Sequence, residues 1–153
     1  MKKILILFIL SLGIMLKGNG QEKQQKPINW TLEVKSLGEN NYELVAKAKM
    51  DKGFHVWALE AGGDGSFINT EIAVAENAKI KWTEAWSTKD KPVVETDKDL
   101  YGGTVYFFKN EWTLTRKFKW SDKKVNLNVT VTYQACNDAM CFPPTDEVFT
   151  VTN

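Results

Sequence analysis

Trp112-Thr113-Leu114-Thr115-Arg116-Lys117-Phe118-Lys119-Trp120, then Ser121-Asp122-Lys123-Lys124, then Val125-Asn126-Leu127-Asn128-Val129-Thr130-Val131-Thr132-Tyr133, is the stretch that settles the class of fold. Trp112, Leu114, Phe118 and Trp120 recur at even positions with Thr113, Thr115, Lys117 and Lys119 between them, and Arg116 is the one polar intruder on the apolar side. Val125, Leu127, Val129, Val131 and Tyr133 alternate in the same way with Asn126, Asn128, Thr130 and Thr132. Successive side chains of a strand point to opposite faces, so a period of two with one polar side marks a strand buried on one face. The sequence predicts two antiparallel strands joined as a hairpin by the polar Ser121–Lys124 turn.

The alternation extends toward the N-terminus. Trp30, Leu32 and Val34 alternate with Thr31, Glu33 and Lys35, and Tyr42, Leu44, Ala46, Ala48 and Met50 with Glu43, Val45, Lys47 and Lys49; Gly38-Glu39-Asn40-Asn41 supplies the turn between them. Shorter strand candidates are 54–59, 68–74, 80–86, 105–109 and 148–151, giving about eight or nine strands with turn signals at regular spacing. Helical periodicity and internal repeats are lacking. The expectation is a single all-β domain over residues 29–153, an immunoglobulin-like antiparallel β-sandwich. Core packing is the default for Trp30, Trp112 and Trp120, whereas the phase around Trp82 and Trp86 is broken by Glu84.

Met1-Lys2-Lys3, the apolar run Ile4–Leu16 and the small residues Gly18-Asn19-Gly20 have the order of a secretory signal peptide ending at residue 20. The apolar run is shorter than the roughly twenty residues that span a bilayer as a helix. Residues 21–28 then read as a polar, flexible lead-in. The remaining chain is expected to be extracytoplasmic and not membrane-spanning, in an oxidising or redox-managed space. The whole sequence carries a formal charge of +1; without Lys2, Lys3 and Lys17 it has 17 basic against 19 acidic residues. That balance offers no basic footprint for nucleic acid.

Two cysteines and one histidine constrain the chemistry more than any other count. Cys136-Asn137-Asp138-Ala139-Met140-Cys141 follows the strand ending at Tyr133, and its spacing allows a tight disulfide loop. Pro143 and Pro144 lack amide donors and cannot continue a central ladder, which places Cys141 on irregular, accessible backbone. A reactive sulfur needs that access for in-line attack. A plain structural disulfide is the commonest use of two secreted cysteines, but a loop of about six residues gains only about 2 kcal/mol in the chain-entropy model. Zinc and blue-copper sites lack ligands here. A Cu(I) site from Cys136, Cys141 and Met140, helped by His55, stays open because soft sulfur favours that ion. His55 is also the one candidate base for a cysteine nucleophile, against a packing role beside Trp57. Gly62-Gly63-Asp64-Gly65 lacks the spacing and lysine of a phosphate loop and reads as a flexible turn.

Thr132-Tyr133-Gln134-Ala135-Cys136 through Cys141-Phe142-Pro143-Pro144-Thr145 resembles the active-site segment of the N-terminal periplasmic domain of DsbD-type thiol:disulfide interchange proteins. Leu100-Tyr101-Gly102 is similar to the core of that family's cap loop, and Gly53-Phe54-His55-Val56-Trp57 to its strand beside the cysteines. The order agrees from about residue 29 to 153. The resemblance implies an immunoglobulin-like domain that passes reducing equivalents from a membrane-embedded thiol reductant to periplasmic thioredoxin-like proteins, serving disulfide isomerisation and cytochrome c maturation, with no cofactor or metal.

By position, Cys141 would form the mixed disulfides and Cys136 resolve them. Asp99, Leu100, Tyr101 and Gly102 would form the cap, and His55, Trp57 and Phe142 the surround. Four residues separate the cysteines where the best-known members have five, and Leu100 stands where Phe is usual. A full-length member also carries transmembrane and thioredoxin-like parts, so the donor is expected to be encoded separately. His55, Asp138 or Asp99 could tune thiolate formation, with Asp138 raising a neighbouring thiol pKa. The alternative from another class is a secreted immunoglobulin-like binding module with a structural disulfide.

Overall fold

The computed structural model describes residues 26–122 and 124–153. The expected leader, 1–20, and most of the lead-in lie outside the described residues. Within those residues the chain forms strands and no helix.

Strand β1 (Ile28–Gly38) pairs antiparallel with β2 (Asn41–Met50), as the alternation predicts. Trp30 stands opposite Ala48, Leu32 opposite Ala46 and Val34 opposite Leu44, so the apolar residues of both strands share one face. Glu39 and Asn40 close the hairpin with φ of 50° and 61°. Two positive φ values make a type I′ turn, whose twist matches that of the strands. Strand β1 starts at Ile28, which is fully buried, one residue ahead of the boundary expected from the sequence, and the Pro27 carbonyl before it accepts from the Asp51 amide at 2.8 Å.

Strand β8 (Glu111–Trp120) adds to β2, and the short β5 (Ile80–Trp82) adds to β8, giving the order β1-β2-β8-β5. Strand β9 (Asn126–Tyr133) belongs to another sheet, between β11 (Thr145–Thr152) and β4 (Glu71–Val74). The hairpin expected between 112–120 and 125–133 is therefore not formed. The chain instead passes from one sheet to another between β8 and β9. Both strands still bury one face in a common core, so their alternation is the same in either arrangement.

The third sheet contains β10 (Ala135–Cys136), β3 (His55–Gly62), β7 (Gly103–Lys109) and β6 (Val93–Asp97), in that order. The main core draws on all three sheets: Trp30, Leu44, Leu114 and Phe118 from the first, Ile72, Val129 and Val131 from the second, Val56, Phe108 and Ala135 from the third. Burying each Val, Leu, Ile or Phe of this set contributes about 1.5–3 kcal/mol. Trp112 stacks on Phe108 with ring centroids 4.1 Å apart and planes 7° from parallel. The result is an all-β, antiparallel, immunoglobulin-like sandwich.

Arg116 lies just past the last β5–β8 pair, Trp82 with Phe118. Its guanidinium sits 4.0 Å over the Trp82 ring and its Nε donates to the Glu84 carbonyl at 3.0 Å. The intruder on the apolar face is thus accommodated where the sheet runs out, with Trp82 and Trp86 partly buried against the core.

The third sheet is apolar on both faces. Val56, Phe108 and Ala135 enter the main core, while Trp57, Phe107 and Cys136 form a second, smaller cluster with Ala61 and Val105. Alternation along β3, β7 and β10 therefore puts the cysteine segment on the face away from the main core.

Candidate functional site

Cys136 and Cys141 form a disulfide with Cα atoms 3.9 Å apart and are also partners in an antiparallel bridge. The intervening turn is tied by its first residue: Asn137 Oδ1 accepts from the amides of Ala139 and Met140, each at 2.9 Å, and the Asn137 amide donates to the Met140 carbonyl. An Asn side chain that bonds its own backbone two residues on favours such turns. Gln134 Nε2 donates to the Phe142 carbonyl at 3.1 Å, and the Phe142 amide to the Ala135 carbonyl, which joins entry and exit of the segment. Cys136 is 1% exposed, whereas Cys141 is an exposed residue, followed by the two prolines before β11 starts at Thr145.

Cys136 stands opposite His55 in register, and His55 stands opposite Lys109 on its other side. Next along the strands, Trp57 pairs with Phe107. The His55 ring packs 4.7 Å from Phe107 and edge-on to Trp57 at 5.3 Å. His55 Nδ1 and Trp57 Nε1 are buried without a hydrogen-bond partner. Burial lowers the His55 pKa below the usual 6.5, the Lys109 charge adds to the lowering, and the charges of Asp138 and Glu95 oppose it. The imidazole is therefore neutral at pH 7.

The loop between β6 and β7 covers this row. Asp97 Oδ1 accepts from the amides of Asp99 and Leu100, each at 2.8 Å, and the Tyr101 amide donates to the Asp97 carbonyl. Tyr101 Oη donates to Glu95 Oε2 at 2.8 Å, and this bond raises the phenol pKa. The Tyr101 ring meets Phe67 at 5.9 Å, and Phe67 packs on Trp57 at 4.3 Å. Leu100, 68% exposed, is the loop's outermost apolar side chain.

The Gly62–Gly65 turn braces this loop and is not merely a flexible connection. The Gly63 amide donates to the Thr104 carbonyl at 2.9 Å and the Asp64 amide to the Tyr101 carbonyl at 3.1 Å. A Cβ on Gly63, where φ is +69°, would lie 2.7 Å from both the Tyr101 oxygen and the Phe67 ring; one on Gly102 would lie 2.6 Å from Asp64 Cβ. Glycine is required at Gly63 by both conformation and space.

These elements enclose an open cleft of about 340 Å³. It is lined by His55, Trp57 and Phe107 from the strands, by Phe67, Leu100 and Tyr101 from the cover, by Glu95 and Lys109, and by the whole Cys136–Cys141 segment. Of the residues singled out from the sequence, Cys136, Cys141, His55, Trp57, Leu100, Tyr101, Asp138 and Met140 converge there. Asp99 is exposed outside the cleft, Gly102 packs on Asp64, and Phe142 packs on Phe54 at 5.9 Å beside the main core.

Phe67, Glu95 and Lys109 were not legible as site residues. Lys109 was placed on a strand, but nothing local set its partner, and Phe67 follows turn residues without periodicity. Among the described residues no three His, Cys, Asp or Glu side chains form a metal-binding group. No helix among them is long and apolar enough to cross a membrane.

The arrangement is a disulfide with one buried and one accessible partner, in a cleft also lined by Leu100 and Tyr101, which suits it to exchange with an incoming thiolate. Two solved structures share the fold. The reduced N-terminal domain of DsbD from Neisseria meningitidis has 13% identity and a TM-score of 0.51, over 81% of this chain and 85% of that one. The N-terminal periplasmic domain of ScsB from Proteus mirabilis has 18% identity and a TM-score of 0.53, over 80% of this chain and 44% of that one. None of the curated proteins matches the chain. The family model for the N-terminal part of the thiol:disulfide interchange protein DsbD matches residues 24–153, and the chain belongs to that thiol:disulfide exchange family.

Proposed function

We propose that the chain is a periplasmic thiol:disulfide exchange module that takes reducing equivalents from a membrane-embedded thiol reductant and passes them to thioredoxin-like clients. Disulfide isomerisation and cytochrome c maturation are the processes this exchange would serve. A donor dithiol reduces the Cys136–Cys141 bond and leaves as a disulfide. The Cys141 thiolate then attacks a client disulfide, one client sulfur departing as a thiol. Cys136 attacks Cys141 Sγ, the client's second sulfur departs, and the internal disulfide is restored. Two electrons have passed from donor to client.

The observation that carries this reading is the unequal exposure of the two bonded cysteines at the edge of a covered cleft. Exchange requires in-line access to one sulfur, and its partner must stay close enough to displace the mixed disulfide. Leu100 and Tyr101 would shield the pair until a partner displaces the loop. Family membership supports both the chemistry and the compartment.

The test is the redox midpoint of the protein, read by acid-quenching across thiol buffers and weighing alkylated cysteines by mass. A midpoint between about −180 and −270 mV supports exchange, whereas one below about −300 mV marks a structural disulfide and the binding-module reading.

A further inference from the structure

We propose that His55 accepts the Cys136 thiol proton as Cys136 closes the internal disulfide, which makes His55 a catalytic residue of the exchange reaction. The proposal rests on the exchange reading above. Its basis is the register: Cys136 in β10 and His55 in β3 are directly opposite and line the same cleft. Directly opposed residues of an antiparallel pair hold their Cβ atoms about 4.5–5.5 Å apart on one face.

Two further observations point the same way. Cys136 is 1% exposed within an aromatic cluster, and burial disfavours the thiolate, so its proton needs a destination at the moment the sulfur attacks. His55 Nδ1 is buried with no partner in the disulfide form. Buried polar groups are rarely left so, and reduction creates one new donor in this cluster, the Cys136 S–H. The orphaned nitrogen of the oxidised state thus has its partner in the reduced state.

The other groups around His55 are poorly suited. Lys109, from β7, is cationic, and Tyr101, from the cover, already donates its proton to Glu95. The charges of Glu95, from β6, and Asp138, beside the cysteines, favour the imidazole's cation. Burial and Lys109 keep His55 neutral at pH 7, so it is ready to accept.

In the step itself, Cys141 is bonded to the client sulfur. The Cys136 Sγ–Cys141 Sγ bond forms, the Cys141–client bond breaks, and the client sulfur leaves with the electron pair. The Cys136 proton passes to His55, and from His55 to the departing thiolate or to water. In the donor half of the cycle a donor thiol attacks Cys141 Sγ, Cys136 leaves with the electron pair of the broken S–S bond, and the neutral imidazole relays the donor thiol's proton to Cys136.

The test is stopped-flow reaction of the reduced full chain with 5,5′-dithiobis(2-nitrobenzoate). A first thionitrobenzoate is released in a concentration-dependent phase as a thiol attacks, and a second in a concentration-independent phase as the internal disulfide closes. The wild-type closure rate is expected to be level at neutral pH and to fall as acid protonates the imidazole, at a pH below the ordinary 6.5 because burial lowers its pKa. His55→Gln and His55→Phe are expected to slow closure on the order of 10²-fold at pH 7, with a rate climbing tenfold per pH unit, while the first phase is unchanged.

The wild-type profile reads the proposal even if a variant folds poorly. A wild-type closure rate that climbs tenfold per unit through pH 6–8, variants that keep the wild-type profile, or equal slowing of both phases would each overturn it. Failure of the wild-type protein to release a second thionitrobenzoate at any pH would overturn the exchange reading, and this proposal with it.

Discussion

Cys136 and Cys141 share a disulfide and an antiparallel bridge, yet the first is 1% exposed and the second lies in the open. Their single substitutions should therefore differ. Cys136→Ser leaves an accessible thiol and should accumulate mixed disulfides with a thioredoxin-like client. Cys141→Ser leaves a buried thiol that should react with iodoacetamide more slowly by at least about tenfold, since thiol reactivity follows access and thiolate character. Non-reducing gels and timed alkylation read both; equal rates for the two variants would refute the assignment of roles.

A side chain on Gly63 would run into both Phe67 and the Tyr101 carbonyl, so its substitution should loosen the loop that carries Tyr101. Gly63→Ala is expected to cost about 1–3 kcal/mol, from overpacking and a left-handed φ. It should also speed reduction of the disulfide by dithiothreitol at temperatures well below unfolding. Urea melts give the first quantity and quenched alkylation the second; an unchanged reduction rate would show that the turn does not control access.

Arg116 over Trp82 tests whether the polar intruder is tolerated or useful. Its guanidinium lies over the indole, and burial lowers its pKa while the group stays charged. Arg116→Ala should destabilise the domain by about 1 kcal/mol, combining the lost cation–π contact with lost packing. Equilibrium urea unfolding, with the fluorescence of Trp82 as an added reporter, measures it.

His55 gives the fold a pH dependence of its own. Its pKa in the folded protein lies below the unfolded value of 6.5, so the unfolded chain binds the extra proton first. The stability this residue contributes is fully present above pH 6.5 and is lost as pH falls through the lower folded value. Thermal melts of the oxidised protein between pH 7 and 5 should show a decline that is shallower in His55→Gln; parallel declines would contradict the sign.

Glu39 occupies a left-handed position, φ 50°, in the β1–β2 turn. Side chains other than Gly, Asn and Asp are disfavoured there. Glu39→Gly or Glu39→Asn should raise stability by about 0.5–1 kcal/mol, visible as a higher urea midpoint at unchanged slope.

The strands of the sandwich were legible wherever one face is buried and the other wet, as in Trp30–Val34, Tyr42–Met50 and Trp112–Tyr133. Their pairing was not always so. The 121–124 connection has the composition of a hairpin turn, but a corner between sheets asks for the same polar residues, and the choice is made by contacts distant in sequence. Strand β6 escaped notice because Val93-Val94-Glu95-Thr96-Asp97 is a short edge strand with charges and no clean alternation. Strand β10 is only Ala135-Cys136, too short for any period. At the site, the cysteines and the cover loop were readable from motif residues, whereas Phe67, Glu95 and Lys109 reach the cleft through tertiary packing. The glycines of 62–65 read as a turn, but the crowding of Gly62 against Thr104 and of Gly63 against Tyr101 depends on a loop nearly forty residues away.

Val56 and Trp57 are neighbours in the chain, yet one belongs to the main core and the other to the redox cluster. A single residue inserted between Phe54 and His55, with the rest of the strand shifted by one, would exchange the two faces, sending His55 and Trp57 inward and Val56 out to the sulfurs. Length changes should therefore be lethal to folding and chemistry together within β3, while the connection between β8 and β9, two strands that contribute no residue to the cleft lining, offers a place where the chain can lengthen over evolutionary time with the sulfur site undisturbed.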